Sequence, residues 1–156
     1  MTAFADSSAL VKLYADEAGS ADVRGLPVMV VSALARVEVP AALWRKSRTG
    51  ELSAKDASML CAAFEADWCD DRGIFIAVAV RAAVLEQAAR LVATHRLGAY
   101  DAVQLGTAVV AREADPDIAS FACYDEDVTV AAVREGFAPL PGGSNFLRAV
   151  PSGPSY

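Results

Sequence analysis

Short apolar segments alternate with longer amphipathic segments along the whole chain. In the amphipathic segments apolar residues recur at helical spacing, which predicts helices over residues 7–17, 32–48, 53–68, 81–95, 100–112 and 125–135. The short apolar segments are typical of strands and cover residues 3–5, 28–31, 74–78, 119–124 and 136–138, the last as an edge strand. Because strands alternate with helices, the pattern predicts an α/β fold with helices on both faces of a mostly parallel sheet.

Serines stand at several expected helix starts, where a side-chain oxygen can accept a hydrogen bond from the backbone. Ser53 is expected to cap the third helix and Ser32 the second, in which Pro40 should kink the helix or delay its regular start. Either Ser7 or Ser8 can cap the first helix. If one of these serines caps the helix, Asp6 is free to face a crevice.

The composition changes after Pro139, where proline, glycine and serine become frequent except at residues 146–150. We therefore predict one domain over residues 1–139 and a tail over residues 140–156, with a short apolar segment that is able to dock. A chain of 156 residues can bury a core without disulfides. One expected inward face of that core lies on the helix over residues 81–95 and comprises Val84, Leu85, Ala88, Leu91 and Val92.

Four acidic residues, Asp6, Glu38, Asp101 and Asp125, lie where a hydrophobic segment ends or a helix begins. Because ligands bind outside the carboxyl ends of parallel strands, we expect Asp6 and Asp125 at that edge of the sheet. Carboxylates that converge raise one another's pKa unless a cation lies between them. The ion that suits several carboxylate oxygens is a hard divalent metal, Mg²⁺ or Mn²⁺.

Each acid also has a simpler explanation. Asp6 and Asp125 precede helices and can be plain N-caps, while Asp101 complements the dipole of the helix that it begins. Glu38, about two turns into its helix, can simply face solvent. Asp127 is an auxiliary metal ligand or only a first-turn acid.

Charge and composition narrow the possible partners. The net charge of −6 argues against nucleic-acid binding through a broad basic face, but not against a nucleic acid held at a metal site. The three cysteines, Cys61, Cys69 and Cys123, lack metal-ligand spacing and are expected to pack as small apolar thiols, which suits a reducing cytoplasm. We see no signal-peptide pattern and no apolar run of membrane-spanning length, so we expect a cytoplasmic protein without a membrane partner.

The residues around the four acids resemble the PIN-domain family, and specifically the VapC-type toxins of bacterial toxin–antitoxin pairs. The resemblance covers nearly the whole chain up to Pro139. It rests on four segments in the same order: Asp-Ser-Ser-Ala-Leu-Val-Lys-Leu-Tyr from residue 6, Ser-x-x-x-x-x-Glu from residue 32, Tyr-Asp-Ala-x-Gln-Leu from residue 100, and Tyr-Asp-Glu-Asp-Val from residue 124. Departures are Pro40, Val128 in place of a common leucine, and the Pro/Gly-rich tail. None of them removes an acid.

The resemblance implies a PIN-like three-layer α/β/α sandwich and a metal-dependent endoribonuclease that hydrolyses RNA phosphodiester bonds. Asp6, Glu38, Asp101 and Asp125 match the family's acidic quartet, and Ser7 stands where the family often has Ser or Thr beside the metal. Asp6 and Asp101 are the expected principal ligands of one or two Mg²⁺ or Mn²⁺ ions, which activate water, and Glu38 is a candidate to accept the proton of that water. The implied partners are an RNA, a VapB-like antitoxin that blocks the site, and a second copy of the chain.

Several other polar and aromatic residues are weaker candidates for a functional role. Gln104, one turn after Asp101, is a candidate to orient a ligand. Lys12 is a helix-surface residue or an RNA-backbone contact, and His95 is expected to be structural because it lies near a helix C-terminus. Two arginines are candidate phosphate contacts, Arg96 and Arg112. Two tryptophans on amphipathic helices are expected in the core or at an interface, Trp44 and Trp68.

Two other functions are alternatives to the nuclease. A phosphorylation receiver needs paired acids after the first strand, an Asp after the third and a late lysine, whereas here residues 74–78 end without Asp and no lysine follows Lys55. The second alternative is a binding module that has the same fold but no catalytic activity, and the sequence does not exclude it. Metal-dependent RNA cleavage that disappears in Asp6→Asn or Asp101→Asn distinguishes the enzyme from the module. The sequence contains no recognisable base-reading motif, so it does not indicate which RNA is cut.

Overall fold

The computed structural model describes residues 2–142. Within this range the strands are β1 (Thr2–Ala5), β2 (Met29–Ser32), β3 (Phe75–Val78), β4 (Ile118–Ala122) and β5 (Ala138–Leu140). They form one sheet in the order β3-β2-β1-β4-β5, and every neighbouring pair is parallel. The predicted parallel sheet is confirmed, and β5 is an edge strand as expected.

The helices of the described range are α1 (Ser7–Tyr14), α2 (Ser20–Arg24), α3 (Ala35–Arg48), α4 (Ala54–Trp68), α5 (Ala82–His95), α6 (Ala99–Ala114) and α7 (Glu126–Arg134). The first helix ends earlier than residue 17. A short helix, α2, follows where the sequence predicted only a linker, because Gly19 adopts a left-handed φ of 92° and lets the chain turn into a new helix.

Alternating side chains of the strands build a core on each face of the sheet. Phe4 and Val30 pack with buried residues of α5, α6 and α7, and the ring of Phe4 stacks on Phe121. Ala5 and Val31 face the other way and pack with buried residues of α1, α2, α3 and α4. The predicted three-layer α/β/α sandwich is therefore confirmed.

The inward face of α5 is narrower than the sequence suggested. Val84, Ala88 and Leu91 are buried, but Leu85 is 53% exposed and Val92 is 42% exposed, so those two predictions were wrong. The apolar residues of α5 extend around more of the helix surface than its neighbours, α6 and the sheet, cover.

The predicted caps had different outcomes. Ser53 caps α4 and accepts a hydrogen bond from the backbone N–H of Asp56 at 3.0 Å, as expected. Ser32 does not cap α3, because it is the last residue of β2 and its hydroxyl lies 3.1 Å from that of Thr107. The helix begins three residues later, which agrees with the delayed start expected from Pro40.

The end of the described range bears on the predicted tail. β5 runs to Leu140, one residue past the expected domain boundary, and the apolar segment at residues 146–150 lies outside the described residues. Between residues 2 and 142, no helix has the length and apolar character needed to cross a membrane.

Candidate metal centre

The sheet order creates a crevice between β1 and β4. From β1 the chain adds β2 and β3 on one side and later returns to add β4 and β5 on the other, so the direction of winding reverses between β1 and β4. Ligands of such sheets bind at this switch point, outside the carboxyl ends of the strands. Asp6 directly follows β1, and Asp125 lies three residues after the end of β4. Both acids therefore lie at the switch point.

Asp6 is buried and is itself the N-cap of α1. Its Oδ1 accepts hydrogen bonds from the backbone N–H of Ala9 at 3.0 Å and from the hydroxyl of Ser8 at 2.6 Å. The thiol of Cys123 donates to its Oδ2 at 2.9 Å. The expectation that Ser7 or Ser8 would cap this helix was wrong, yet Asp6 still reaches the crevice, because a carboxylate has enough acceptor positions to do both.

A cavity of about 480 Å³ opens at the switch point, between α1, α3 and α6. Ser7 and Gln104 line it, and Asp127 lies outside its lining. The four acids singled out from the sequence all line this cavity: Asp6, Glu38, Asp101 and Asp125. The structure therefore brings together carboxylates that are spread over most of the chain.

Glu38 is held by a buried amide on the neighbouring helix. It lies in the first turn of α3, rather than two turns into it as expected. The Nε2 of Gln104 donates to Glu38 Oε1 at 3.0 Å and to Ser7 Oγ at 2.8 Å. Gln104 is 2% exposed, and its Oε1 has no hydrogen-bond partner within residues 2–142. The predicted contact of Gln104 with a site carboxylate is present, and one buried acceptor beside it remains unused.

The cavity favours the neutral forms of three carboxyl groups, those of Asp6, Glu38 and Asp101. Burial is the main reason why the pKa values of Asp6, Glu38 and Asp101 are raised above those of ordinary carboxyl groups. Repulsion adds to this effect: Asp6 and Asp101 act on Glu38, and Asp125 and Asp127 act on Asp101. The expected upward pKa shift is present at these three acids, although burial contributes more to it than mutual repulsion.

The donor set fits a hard divalent cation. Four carboxylates, the hydroxyl of Ser7 and the unused Oε1 of Gln104 are all oxygen donors, which Mg²⁺ and Mn²⁺ prefer. A cation would also offset the burial and repulsion that disfavour ionised carboxylates here. No three His, Cys, Asp or Glu side chains of the described chain form a ready-made ion-binding group. The acids share the cavity without already meeting at one point.

Two of the other candidate residues are engaged elsewhere. The ammonium of Lys12 donates to Glu17 at 2.9 Å and lies 4.4 Å from the ring centre of Tyr124, so it is not a free phosphate contact. Trp68 on α4 packs against Phe64 of the same helix and Phe75 of β3, as a core residue would. Trp44 is partly exposed, which fits the interface alternative.

His95 has the structural role expected of it, and Arg112 is also used structurally. The Nε2 of His95 lies 2.6 Å from Glu135 Oε1, which joins α5 to the end of α7. The guanidinium of Arg112 lies 3.9 Å from the ring centre of Phe137 and donates to the Glu135 carbonyl. Arg96 ends α5 in a left-handed conformation, with φ of 57°.

Sequence reasoning missed two residues that line the cavity and one that contacts Asp6 from outside the lining. Cys123 is buried against Asp6 and so is not the inert apolar thiol that we expected; Cys69 is exposed, which also contradicts that expectation. Arg45 lines the cavity seven residues after Glu38, a spacing that places both on one face of α3 and that could have identified it. Tyr100 lines the cavity too, beside Asp101.

Comparisons with known proteins identify the fold. No family model and no curated protein sequence matches the chain. Among solved structures, Mycobacterium tuberculosis VapC20, described as a sarcin–ricin loop cleaving toxin, is 20% identical with a TM-score of 0.60, covering 87% of this chain and 96% of that one. PAE2754 from Pyrobaculum aerophilum is 18% identical with a TM-score of 0.61, covering 95% of this chain and 88% of that one. The chain has the PIN-like fold of VapC20, so the resemblance read from the sequence is confirmed at the level of the fold.

Proposed function

We propose that this protein is a metal-dependent endoribonuclease, the toxin of a VapBC-type toxin–antitoxin pair. The observation that carries the proposal is the convergence of Asp6, Glu38, Asp101 and Asp125 on one cavity at the switch point of a PIN-like fold. The description of VapC20 as a sarcin–ricin loop cleaving toxin supports the same class of activity. We take the nuclease domain to end with β5, at Leu140.

The cavity residues divide the chemistry of phosphodiester hydrolysis among them. When bound, Mg²⁺ or Mn²⁺ supplies charge that neutralises the carboxylates, polarises the scissile phosphate and makes water a usable nucleophile. Asp6 and Asp101 are the proposed principal ligands, and Asp125 and Glu38 complete the set. Glu38 is the proposed proton acceptor, because a raised pKa makes a carboxylate a better base. Gln104 orients Glu38 through its amide.

The proposed partners follow from the same cavity. An antitoxin of the VapB kind would block it by placing a basic side chain among the carboxylates, where their charge favours a cation. Exposed apolar side chains on α3 and α5, such as Trp44 and Leu85, are compatible with a homodimer. We place the protein in the cytoplasm, where its RNA substrate and antitoxin would both be found.

The proposal is tested by sequencing RNA ends after brief induction of the wild type and of Asp101→Asn in cells. New ends at a restricted set of positions, present with the wild type and absent with the variant, are expected. The same ends in both cultures, or no new ends in either while the protein accumulates in folded form, would reject the nuclease and leave the non-catalytic binding module.

A further inference from the structure

A second cavity, of about 260 Å³, opens between α2 and the carboxyl ends of β4 and β5, and we call it the α2 cavity. None of the four site carboxylates lines it. The apolar side chains of its walls belong to the core on that face of the sheet and include Val23, Leu26, Tyr124 and Leu140. Its volume is below the roughly 300–1,000 Å³ of small-molecule sites, so the α2 cavity suits a few side chains of a peptide segment.

The α2 cavity lies where the described part of the chain ends. Gly142 is the last described residue and is itself part of the lining. The next three residues, Gly-Ser-Asn, are typical of a turn, and the apolar residues Phe146 and Leu147 follow them. Four residues span at most about 14 Å, so Phe146 is tethered close to the cavity. A link this short gives an effective concentration in about the millimolar range, at which even a weak contact is populated.

The charges of the cavity and of the segment that follows it are complementary. Asp22 is exposed and is the one charged residue that lines the α2 cavity within residues 2–142. It forms no ion pair with another described residue, whereas nearby Asp16 pairs with an arginine of α2. Arg148 has the one charged side chain after residue 142 and stands two residues after Phe146. Because residues two apart in an extended segment lie on one face, Phe146 and Arg148 can reach the cavity and Asp22 together.

We infer that residues 146–150 of this chain dock in the α2 cavity, with the ring of Phe146 between its apolar walls and Arg148 beside Asp22. Burial of an aromatic ring supplies the attraction, and the short link keeps the entropic cost of closing the loop low. The ion pair fixes the direction in which the segment lies. The docked segment extends the domain beyond the end of β5. The inference does not rest on the proposed nuclease function, because no site carboxylate takes part in it.

The contact is tested by nuclear magnetic resonance on the full-length chain. We expect nuclear Overhauser effects between the ring protons of Phe146 and the methyl groups of Val23 and Leu26, together with ring-current shifts of those methyl groups. Phe146→Leu should remove the ring-current shifts, because the aromatic ring is lost. Tyr156→Leu removes the other aromatic ring that follows residue 142 and should leave the shifts unchanged.

Docking should also protect the peptide bond after Arg148 from trypsin. In the wild type the release of residues 149–156, followed by mass spectrometry, should be slow. Phe146→Ala should speed this release roughly 10- to 100-fold, because the burial of the ring is lost. Asp22→Asn should speed it about 2- to 5-fold, the range for an exposed ion pair. Asp117→Asn changes an exposed acid outside the cavity lining and should have no effect.

The outcomes separate this inference from the proposed function. Absence of the Overhauser effects, or equal trypsin rates in the wild type and Phe146→Ala, overturns the inference. Effects that appear only as the protein concentration rises overturn it too, because the segment then occupies the α2 cavity of a second copy. None of these results bears on the proposed function, which fails separately if the wild-type protein cuts no RNA.

Discussion

The Sγ of Cys123 lies 2.9 Å from the Oδ2 of Asp6, across 117 positions of sequence. Burial, followed by the charge of Asp6 and the hydrogen bond to it, raises the pKa of the Cys123 thiol well above its usual value, so the thiol stays protonated and donates. That hydrogen bond lowers the pKa of Asp6 and partly offsets the effect of burial. The thiol therefore helps to keep the buried carboxylate of Asp6, a proposed metal ligand, ionised.

Cys123→Ala should reduce metal affinity and RNA cleavage by about 10-fold, the lower end of the range for losing a group that supports a metal ligand. Cys123→Ser replaces the donor with a hydroxyl and should retain most of the activity. Titration calorimetry with Mn²⁺ and initial cleavage rates measure the two effects. Wild-type metal affinity and cleavage in Cys123→Ala would show that the contact has no functional consequence.

Gln104 is the second supporting side chain at the cavity, through its contacts with Ser7 and Glu38. Gln104→Ala should lower the cleavage rate about 10- to 100-fold, because Glu38 loses the amide that orients it. Gln104→Glu should be at least as harmful, since a fifth carboxylate would repel Glu38 and raise its pKa further. The control is Gln87→Ala, a substitution on α5 away from the cavity. Full activity in Gln104→Ala would remove this residue from the mechanism.

Gly106 allows α5 and α6 to approach each other closely. A Cβ at this position would lie 3.0 Å from the backbone N of Ala88 and 3.1 Å from the carbonyl O of Val84, and neither atom can rotate away. Gly106→Ala should therefore lower the free energy of unfolding by about 1–3 kcal/mol, as overpacking does. Gly25→Ala, where the new Cβ meets only ordinary contacts, should be nearly neutral. Urea denaturation compares the two, and equal stability would contradict the packing argument.

The stability of the fold should depend on the charge of Glu135. Its hydrogen bond with Arg90, and a further one with His95, lower the pKa of Glu135 to about 2, from about 4.3 for an unperturbed glutamate. A lowered pKa means that the stabilisation is fully present above pH 4.3 and is lost as the pH falls towards 2. Melting temperatures of the wild type and of Glu135→Gln should therefore differ most above about pH 4.3 and converge at lower pH. A gap that stays constant between pH 7 and pH 2 would show that the charge is not its source.

The fold and the four acids could be predicted because their signals are local. Strand–helix alternation repeats throughout the chain, and Asp6, Asp101 and Asp125 stand at the starts of predicted helices, so a parallel sheet gathers them without any knowledge of tertiary contacts. Glu38 was expected deeper in its helix than the first turn, where it lies. The position of Arg45 at the cavity could also have been predicted from the sequence, because its spacing from Glu38 is a helical repeat.

The features that were missed depend on contacts between distant segments or on very short elements. Asp6 and the neighbouring serines can all accept the capping hydrogen bond of α1. The contact of Asp6 with Cys123, which directly follows β4, favours Asp6. Helix α2 has only five residues, too few for a periodic pattern to show. Leu85 has the right spacing to face inward, but its burial depends on how much of α5 the neighbouring elements cover.

If the converging carboxylates hold a catalytic metal ion, the protein cleaves RNA only when that ion is present. The most direct measurement is cleavage of RNA by the purified, antitoxin-free protein with Mg²⁺ or Mn²⁺, with a chelator, and with Asp101→Asn in place of the wild type. We expect discrete cleavage products with either metal, none with the chelator, and none with the variant, whose circular dichroism spectrum should match that of the wild type. Equal cleavage by Asp101→Asn, or intact RNA with folded wild type and either metal, would contradict it.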